Sequence, residues 1–300
     1  MVDSKNILIT GGVGFIGQRL VEKFEKAGHD VCVLDIASPP AVTHARAKYI
    51  KSDVFDFEKL KVIVKDHDII IHLVGLADAG AAQKEPTKSF KLNVASLQNL
   101  LEACRIDGNK KKIIFPSSAA VYGITETLPV KEDFTPHPTN VYSWHKYICE
   151  KMIRCYHGNF GLEYIIFRLF NVYGKRNKGV IELFLRKTAR GETIRSFGLN
   201  QYRDFVYAGD VAEAFYKSAV YEKANSRIIN IGSGKGTQIK EVLELICEIY
   251  PATKWIQEEG NFALYDSIAD VTLAKKLLNY RPHASKEFMK KTIMEEMIKG

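Results

Sequence analysis

The stretch Lys5 to Gly17, KNILITGGVGFIG, constrains this chain more than any other, because a strand, a glycine turn and a helix start are all legible in it. Ile7, Leu8 and Ile9 form the short apolar run of a buried parallel strand. Thr10 leads into Gly11, Gly12, Gly14 and Gly17, and helical text follows at once, with Phe15, Ile16, Leu20, Val21 and Phe24 at helical spacing. In the pattern Gly12-x-Gly14-x-x-Gly17 the early glycines permit a tight turn and close backbone approach. The last lets helix pack on strand, and free N–H groups face a pyrophosphate. Glycine-rich turns are common, and alone such a turn reads as a flexible loop. Here a second strand, Val31 to Leu34, follows and ends in Asp35, 18 residues past Gly17, where a carboxylate accepts the hydroxyls of an adenosine ribose. That carboxylate repels a 2′-phosphate and no arginine adjoins it in sequence, so NAD is expected rather than NADP.

Three hundred residues suffice for one large domain or two intimate ones without disulfides or metal. The five cysteines (Cys32, Cys104, Cys149, Cys155, Cys247) form no CxxC pair and read as reduced residues of a cytoplasmic chain. The sequence runs straight into a strand and no apolar run approaches a membrane span, so neither signal peptide nor anchor is expected. A net charge of +8 invites a nucleic-acid reading, with Lys110, Lys111 and Lys112 as its best support. That triplet precedes the apolar strand Ile113 to Phe115, where lysines mark a solvated loop, and the other basic residues are dispersed among acids. The charge suits a dinucleotide and an anionic substrate; no nucleic acid, membrane or metal is expected.

Farther along, Tyr49 to Val54 reads as a third strand. Asp53 at its end meets an adenine amino group, caps the helix beginning near Phe57, or does both. The next strand, Asp68 to Leu73, is followed by Val74-Gly75-Leu76-Ala77, small residues where a bound cofactor would pass, and His72 reads as a packed strand residue. A single helix is expected from about Ser89 to Arg105, with Asn93 bonding a loop or cofactor backbone. The strand in Lys112 to Gly123 presents Ser117 and Ser118, and a helix resumes at about Tyr142. Alternating strands and helices predict an α/β fold with a doubly wound parallel sheet.

In that last helix, Tyr142 and Lys146 at i and i+4 share one face. A free phenol, with pKa near 10, is a poor base at neutral pH; a lysine cation and the positive nicotinamide favour phenolate. Ser118 is placed to share the proton of a substrate hydroxyl.

With these residues assembled, the chain resembles the NAD-dependent nucleotide-sugar epimerases of the extended short-chain dehydrogenase/reductase superfamily, similar to UDP-glucose 4-epimerase. The motifs that carry the resemblance are Thr10 to Gly17, Ser117-Ser118-Ala119-Ala120-Val121-Tyr122-Gly123, Tyr142 to Lys146, Arg168-Leu169-Phe170-Asn171-Val172-Tyr173-Gly174, Arg203 to Tyr207 and Asn230 to Gly234. The resemblance implies a catalytic trio in which Tyr142 is the base, Lys146 holds the nicotinamide ribose and tunes the tyrosine, and Ser118 bonds the sugar 4-hydroxyl. It implies cofactor contacts from Gly11, Gly14, Phe15, Ile16, Gly17, Asp35, Asp53, Val54, Leu73, Val74, Gly75, Asn93, Tyr142, Lys146 and Phe170. Asn171 and Arg203 would hold a nucleotide diphosphate. The implied partner is a nucleotide-diphosphate sugar, UDP-linked by analogy, turned over through a 4-keto sugar.

Related sugar 4,6-dehydratases carry an Asp-Glu pair, and related decarboxylases a glutamate, where this chain has Ala119 and Ala120. Ser267, three before the aspartate of Ala269-Asp270, lines the sugar 2-position by the same resemblance and leaves room for an N-acetyl group. A usual diphosphate-binding arginine is replaced by Gly260, followed by Asn261 and Phe262. The cations of Lys175, Arg176 and Lys178 either replace it or are solvated. Residues 1–170 are expected to be mainly NAD-binding and 171–300 mainly substrate-binding, with strands and helices near 204–232 returning to the first part. A homodimer is expected by analogy. A nucleotide-sugar reductase or dehydrogenase with the same trio, or a protein that only binds dinucleotide, are the alternatives.

Overall fold

Short apolar runs bounded by turns become strands in the computed structural model, which describes residues 4–39, 46–258 and 265–298. Along the described chain the strands are β1 (Asn6–Thr10), β2 (Asp30–Asp35), β3 (Lys48–Lys51), β4 (Ile69–His72), β5 (Lys112–Ser118), β6 (Glu163–Leu169), β7 (Asn171–Tyr173), β8 (Ile194–Ser196), β9 (Tyr202–Tyr207), β10 (Arg227–Ile231), β11 (Gly236–Gln238) and β12 (Trp255–Gln257). The helices are α1 (Phe15–Lys26), α2 (Phe57–Lys65), α3 (Ala79–Lys84), α4 (Pro86–Phe90), α5 (Ser96–Asp107), α6 (Val141–Phe160), α7 (Val180–Ala189), α8 (Ala208–Val220), α9 (Ile239–Ile249), α10 (Thr272–Leu278) and α11 (Lys286–Thr292).

Seven strands form one parallel sheet in the order β10-β6-β5-β4-β1-β2-β3, the doubly wound architecture expected. The two-residue period of a strand explains its two cores. Ile7 and Ile9 face α1 and α8, packing with Leu20, Phe24, Val211 and Phe215. Leu8, Ile70, Ile113 and Phe115 face α2, α5 and α6. Phe167 meets Phe215 edge to face with centroids 4.9 Å apart, a geometry that contributes about 1 kcal/mol beyond burial. Strand order reverses between β1 and β4, opening a crevice at their carboxyl ends where the glycine turn and the loop after β4 meet.

A separate core beside the sheet gathers Phe184 of α7, Ile194 of β8, Phe205 of β9, Val242 and Ile246 of α9, and Met289 of α11. Within 204–232, β10 joins the large sheet and α8 packs against α1. Strand β9 does not join that sheet: it pairs with β7 and β11 in a three-stranded sheet.

Three further expectations are corrected. The single helix over 89–105 is α4, a widened π turn over Lys91–Ala95, and α5. Strand β3 stops at Lys51, and Asp56, not Asp53, caps α2 by accepting from the Lys59 N–H at 3.2 Å. Asp53 instead accepts from the Phe55 N–H at 3.0 Å. His72 is a packed residue as expected, its ring bonded to the hydroxyls of Thr10 and Ser96.

Candidate active site

The glycine turn is built by close approach. Gly11 has φ +75°, and a Cβ there would lie 2.8 Å from the Val74 nitrogen. A Cβ on Gly17 would lie 2.5 Å from the backbone of Gly12, so helix and turn touch only because both lack side chains. Gly14 is exposed, and its Cβ would meet only the Gly11 carbonyl at 3.3 Å. It caps α1 without a side chain, so the first-turn N–H groups of Phe15, Ile16 and Gly17 form the end of a helix dipole suited to a phosphate. Asp35 stands beside the turn, accepting from the Val13 N–H at 3.0 Å and the Ala37 N–H at 2.9 Å. An acceptor next to an uncapped helix start, with glycines where any Cβ would fill the cradle, fits a dinucleotide.

Across the crevice Leu73 and Val74 are half-buried and Gly75 is exposed. Asn93, buried in the π turn, accepts from the Leu76 N–H at 2.8 Å and donates to the Leu76 carbonyl and the Ser89 hydroxyl. Of its two expected roles the structure displays the loop anchor. Gly75 makes room for it, since a Cβ there would sit 2.4 Å from the Asn93 amide oxygen. Asp53 is exposed, Val54 is buried, and Phe170 packs into the core beside β10.

Ser118, Tyr142 and Lys146 come together. Asn140 and Ser143 form a capping box, with bonds of 2.9 and 3.1 Å, that starts α6 one residue before Tyr142 and contributes about 1 kcal/mol. The Tyr142 phenol stands close enough to Ser118, at the end of β5, for that hydroxyl to lower its pKa. Lys146 is 8% exposed; its Nζ donates to the Pro116 carbonyl at 2.8 Å and lies 5.9 Å from the Tyr142 ring centroid. An ammonium carries three donors, so two remain for a ligand. Burial pushes the Tyr142 phenol up to about 12, against the effect of Ser118, and pushes Lys146 down to about 8. Among the protein's own groups desolvation therefore outweighs the neighbours, and phenolate rests on the nicotinamide expected to join them.

The substrate candidates form a second group. Arg203 and Ser267 are bridged side by side, and Asn171 is exposed on β7. The Arg203 guanidinium stacks 4.9 Å over the Tyr265 ring, and it donates to the Tyr265 and Tyr202 carbonyls and to Gln201. Three of its five N–H donors thus face its own surroundings, and two remain for a ligand. A second bridge, Val130 with Ala269, joins the segment before α6 to the strand-like stretch carrying Ser267. Gly260, Asn261 and Phe262 lie outside the described residues. Arg176 donates to the Gln18 side chain of α1 at 2.5 Å, so this cation is not merely solvated.

Sequence reasoning missed two buried polar centres. Glu150 pairs with Arg168 at 2.7 Å behind the trio, and Asp204 gathers donors from residues 233, 234 and 269. Glu150 was legible in principle, since it stands four residues beyond Lys146 on the same helical face. Among the described residues no cluster of His, Cys, Asp or Glu forms a metal site, and no helix is long and apolar enough to cross a membrane.

Comparison with known proteins agrees with this geometry. The model of the NAD dependent epimerase/dehydratase family matches residues 7–232. A putative UDP-glucose 4-epimerase of Methanocaldococcus jannaschii is 34% identical over 249 residues, 80% of this chain and 81% of that protein. A UDP-N-acetyl-alpha-D-glucosaminuronate decarboxylase of Bacillus cytotoxicus is 31% identical over 319 aligned positions, 96% and 97% of the two chains. The crystal structure of a UDP-glucose 4-epimerase from Thermotoga maritima with UDP-glucose superposes with a TM-score of 0.88 at 31% identity, covering 96% of this chain and 97% of that one.

Proposed function

From the premise that this chain belongs to the NAD dependent epimerase/dehydratase family, and is an NAD-dependent enzyme, we propose that it is a nucleotide-sugar 4-epimerase acting on UDP-hexoses and UDP-N-acetylhexosamines. The observation that carries this reading is Ser118 beside Tyr142 one helical turn from Lys146, followed by Ala119 and Ala120 where elimination or decarboxylation would need an acid or base. For that reason the decarboxylase relative does not set the chemistry.

Bound NAD supplies a hydride acceptor and donor at the sugar C4. The Tyr142 oxygen takes the 4-hydroxyl proton and later returns it. Ser118 holds that hydroxyl and passes the proton across its own oxygen. Lys146, through its two remaining donors, holds the nicotinamide ribose, and its charge favours phenolate once the site closes over its ligands. The Gly11–Gly17 turn and Asp35 bind the adenosine half. Since oxidation and reduction cancel, the enzyme needs no external reductant.

Incubation with UDP-glucose or UDP-GlcNAc without added reductant is expected to yield the galacto form of each. Ser267→Tyr is expected to lower turnover of the N-acetyl sugar by about tenfold or more, through steric exclusion, and to spare UDP-glucose. Conversion of neither sugar, or conversion only with stoichiometric NADH, overturns the assignment.

We also propose a homodimer paired across α6, where Trp144 is exposed, as is Phe90 of α4, whose ring packs edge-on against His145 of α6. Sedimentation is expected to give twice the chain mass, and Trp144→Glu to halve it; a monomer throughout the micromolar range removes the proposal.

A further inference from the structure

The α6-facing columns of three adjacent strands are apolar at their starts: Ile113 and Phe115 on β5, Tyr164 and Ile166 on β6, Ile228 on β10. All three columns then end in polar residues. Ser117, Arg168 and Asn230 stand in one row across the strands, paired in register. Their exposures are 2%, 2% and 0%. Onto this row α6 lowers Glu150, itself 1% exposed. The carboxylate accepts from the Ser117 hydroxyl at 2.6 Å and from Arg168 Nε and Nη2 at 3.0 and 2.7 Å. Arg168 is completed by the Glu132 carbonyl and by the Tyr122 ring 4.6 Å beneath it.

We propose that Glu150 is a positioning residue for the reaction: gripped on both oxygens by Arg168, it locks the turn of α6 carrying Lys146 against β5 and sets a fixed negative charge one helical turn from the Lys146 ammonium. The inference rests on the role given above to Lys146.

Geometry supports it first. Tyr142, Lys146 and Glu150 recur every four residues on one face of α6 and all face the end of β5: Tyr142 stands near Ser118, Lys146 donates to the Pro116 carbonyl, and Glu150 accepts from Ser117. A displaced α6 would break both bonds and move the phenol from Ser118 together. A buried ion pair is weak evidence of stability, because well-packed apolar residues of similar volume hold helix on sheet as well. The charge is therefore the feature that calls for a use.

The surroundings of Lys146 identify that use. Its Nζ faces the Phe115 ring at 4.7 Å and the Pro116 carbonyl from β5, and Tyr142, Cys149 and Glu150 from its own helix. His72 approaches from β4, and Arg168 of β6 binds the Glu150 carboxylate. Burial drives Lys146 toward the neutral amine, and Cys149 and Glu150 oppose it. Burial pushes the Cys149 thiol up to about 12 and His72 down to about 3, so both are uncharged at neutral pH. Among these groups the Glu150 carboxylate is the anion that acts there.

The sign follows. Removing the carboxylate lowers the Lys146 pKa further, so the ammonium is lost at a lower pH. Glu150→Gln is expected to move the alkaline limb of kcat/KM downward by about one pH unit, a loss of about fivefold at pH 8 that shrinks to under about threefold at pH 6.5. Calorimetric titration of NAD against pH is expected to show the same displacement without any sugar. Glu150→Gln leaves Arg168 unpaired and can impair folding, so a second variant, Glu150→Met with Arg168→Met, removes both charges at similar volume and is expected to shift the limb in the same direction by a smaller amount, because the Arg168 cation goes with the carboxylate. Coincident limbs in both measurements for a folded variant overturn the proposal and leave the pair a structural one. If the wild type epimerises no sugar nucleotide, the function assigned above fails, and the NAD titration still decides the role of Glu150.

Discussion

Tyr142→Phe is expected to lower kcat by about a thousandfold or more while NAD binding changes less than about threefold, because one oxygen is removed from the reacting proton's path and none from the dinucleotide cradle. The aromatic ring keeps its place in the first turn of α6, and the capping box of Asn140 and Ser143 is untouched. Ser118→Ala is expected to cost less, about ten- to a hundredfold, since the phenol can still take the proton directly. The checks are single-turnover kinetics on UDP-glucose and calorimetry with NAD. Unchanged turnover in Tyr142→Phe would falsify the assigned base. The free phenol, pushed up to about 12, adds a second expectation. Spectroscopic titration of Tyr142 in the protein without ligands is expected to find it neutral at pH 8, with ionisation favoured only as cofactor and sugar bind.

Asp204→Ala is expected to be the most destabilising single change, about 4–5 kcal/mol, equivalent to roughly 10 °C in Tm for a chain of this size. Asp204 is fully buried in β9 and accepts from the Ser233 N–H at 2.6 Å, the Ser233 hydroxyl at 2.7 Å, the Gly234 N–H at 2.9 Å and the Ala269 N–H at 3.0 Å. Truncation would leave these donors facing a cavity. Gly232 shows how closely the chain wraps the carboxylate, since a Cβ there would approach Asp204 Oδ2 to 2.5 Å. Asp204→Asn keeps the shape but turns an amide donor toward other donors, so an intermediate loss is expected. At a permissive temperature the alanine variant should bind NAD normally and show a raised KM for sugar nucleotide, because the loosened stretch carries Ser267. Denaturant melts and steady-state kinetics test both parts; a loss below about 1 kcal/mol contradicts this account of Asp204.

The nucleotide half was legible because its signals are local and long enough to read. Ile7 to Gly17 carries strand, turn and helix in one run, and the Tyr142–Lys146 spacing needs only helical period. What escaped has physical reasons. The π turn over Lys91–Ala95 inserts an extra residue into a helix, which an apolar period over one short window cannot resolve. Strands β7, β8, β11 and β12 have three residues each, too few for a two-residue alternation to show. Asp53 and Asp56 are equally plausible caps as letters, and backbone geometry chose Asp56. Arg203 announces a cation, but its partner, the Tyr265 ring and carbonyl, comes from 62 residues away. The phenol's high pKa is a property of burial, which depends on every neighbour at once and on no single motif.

The path of the chain limits how such an enzyme can diversify. After β6 it leaves the large sheet for β7, returns as α8 and β10, and leaves again for β11, while the Val130–Ala269 bridge ties a late segment to an early one. No single cut separates the large sheet from the smaller ones, so on the function proposed above a new sugar specificity is not acquired by grafting a module. It arises in place, by exchange of individual side chains such as Ser267, the residue proposed to line the sugar, beside strands whose course stays unchanged.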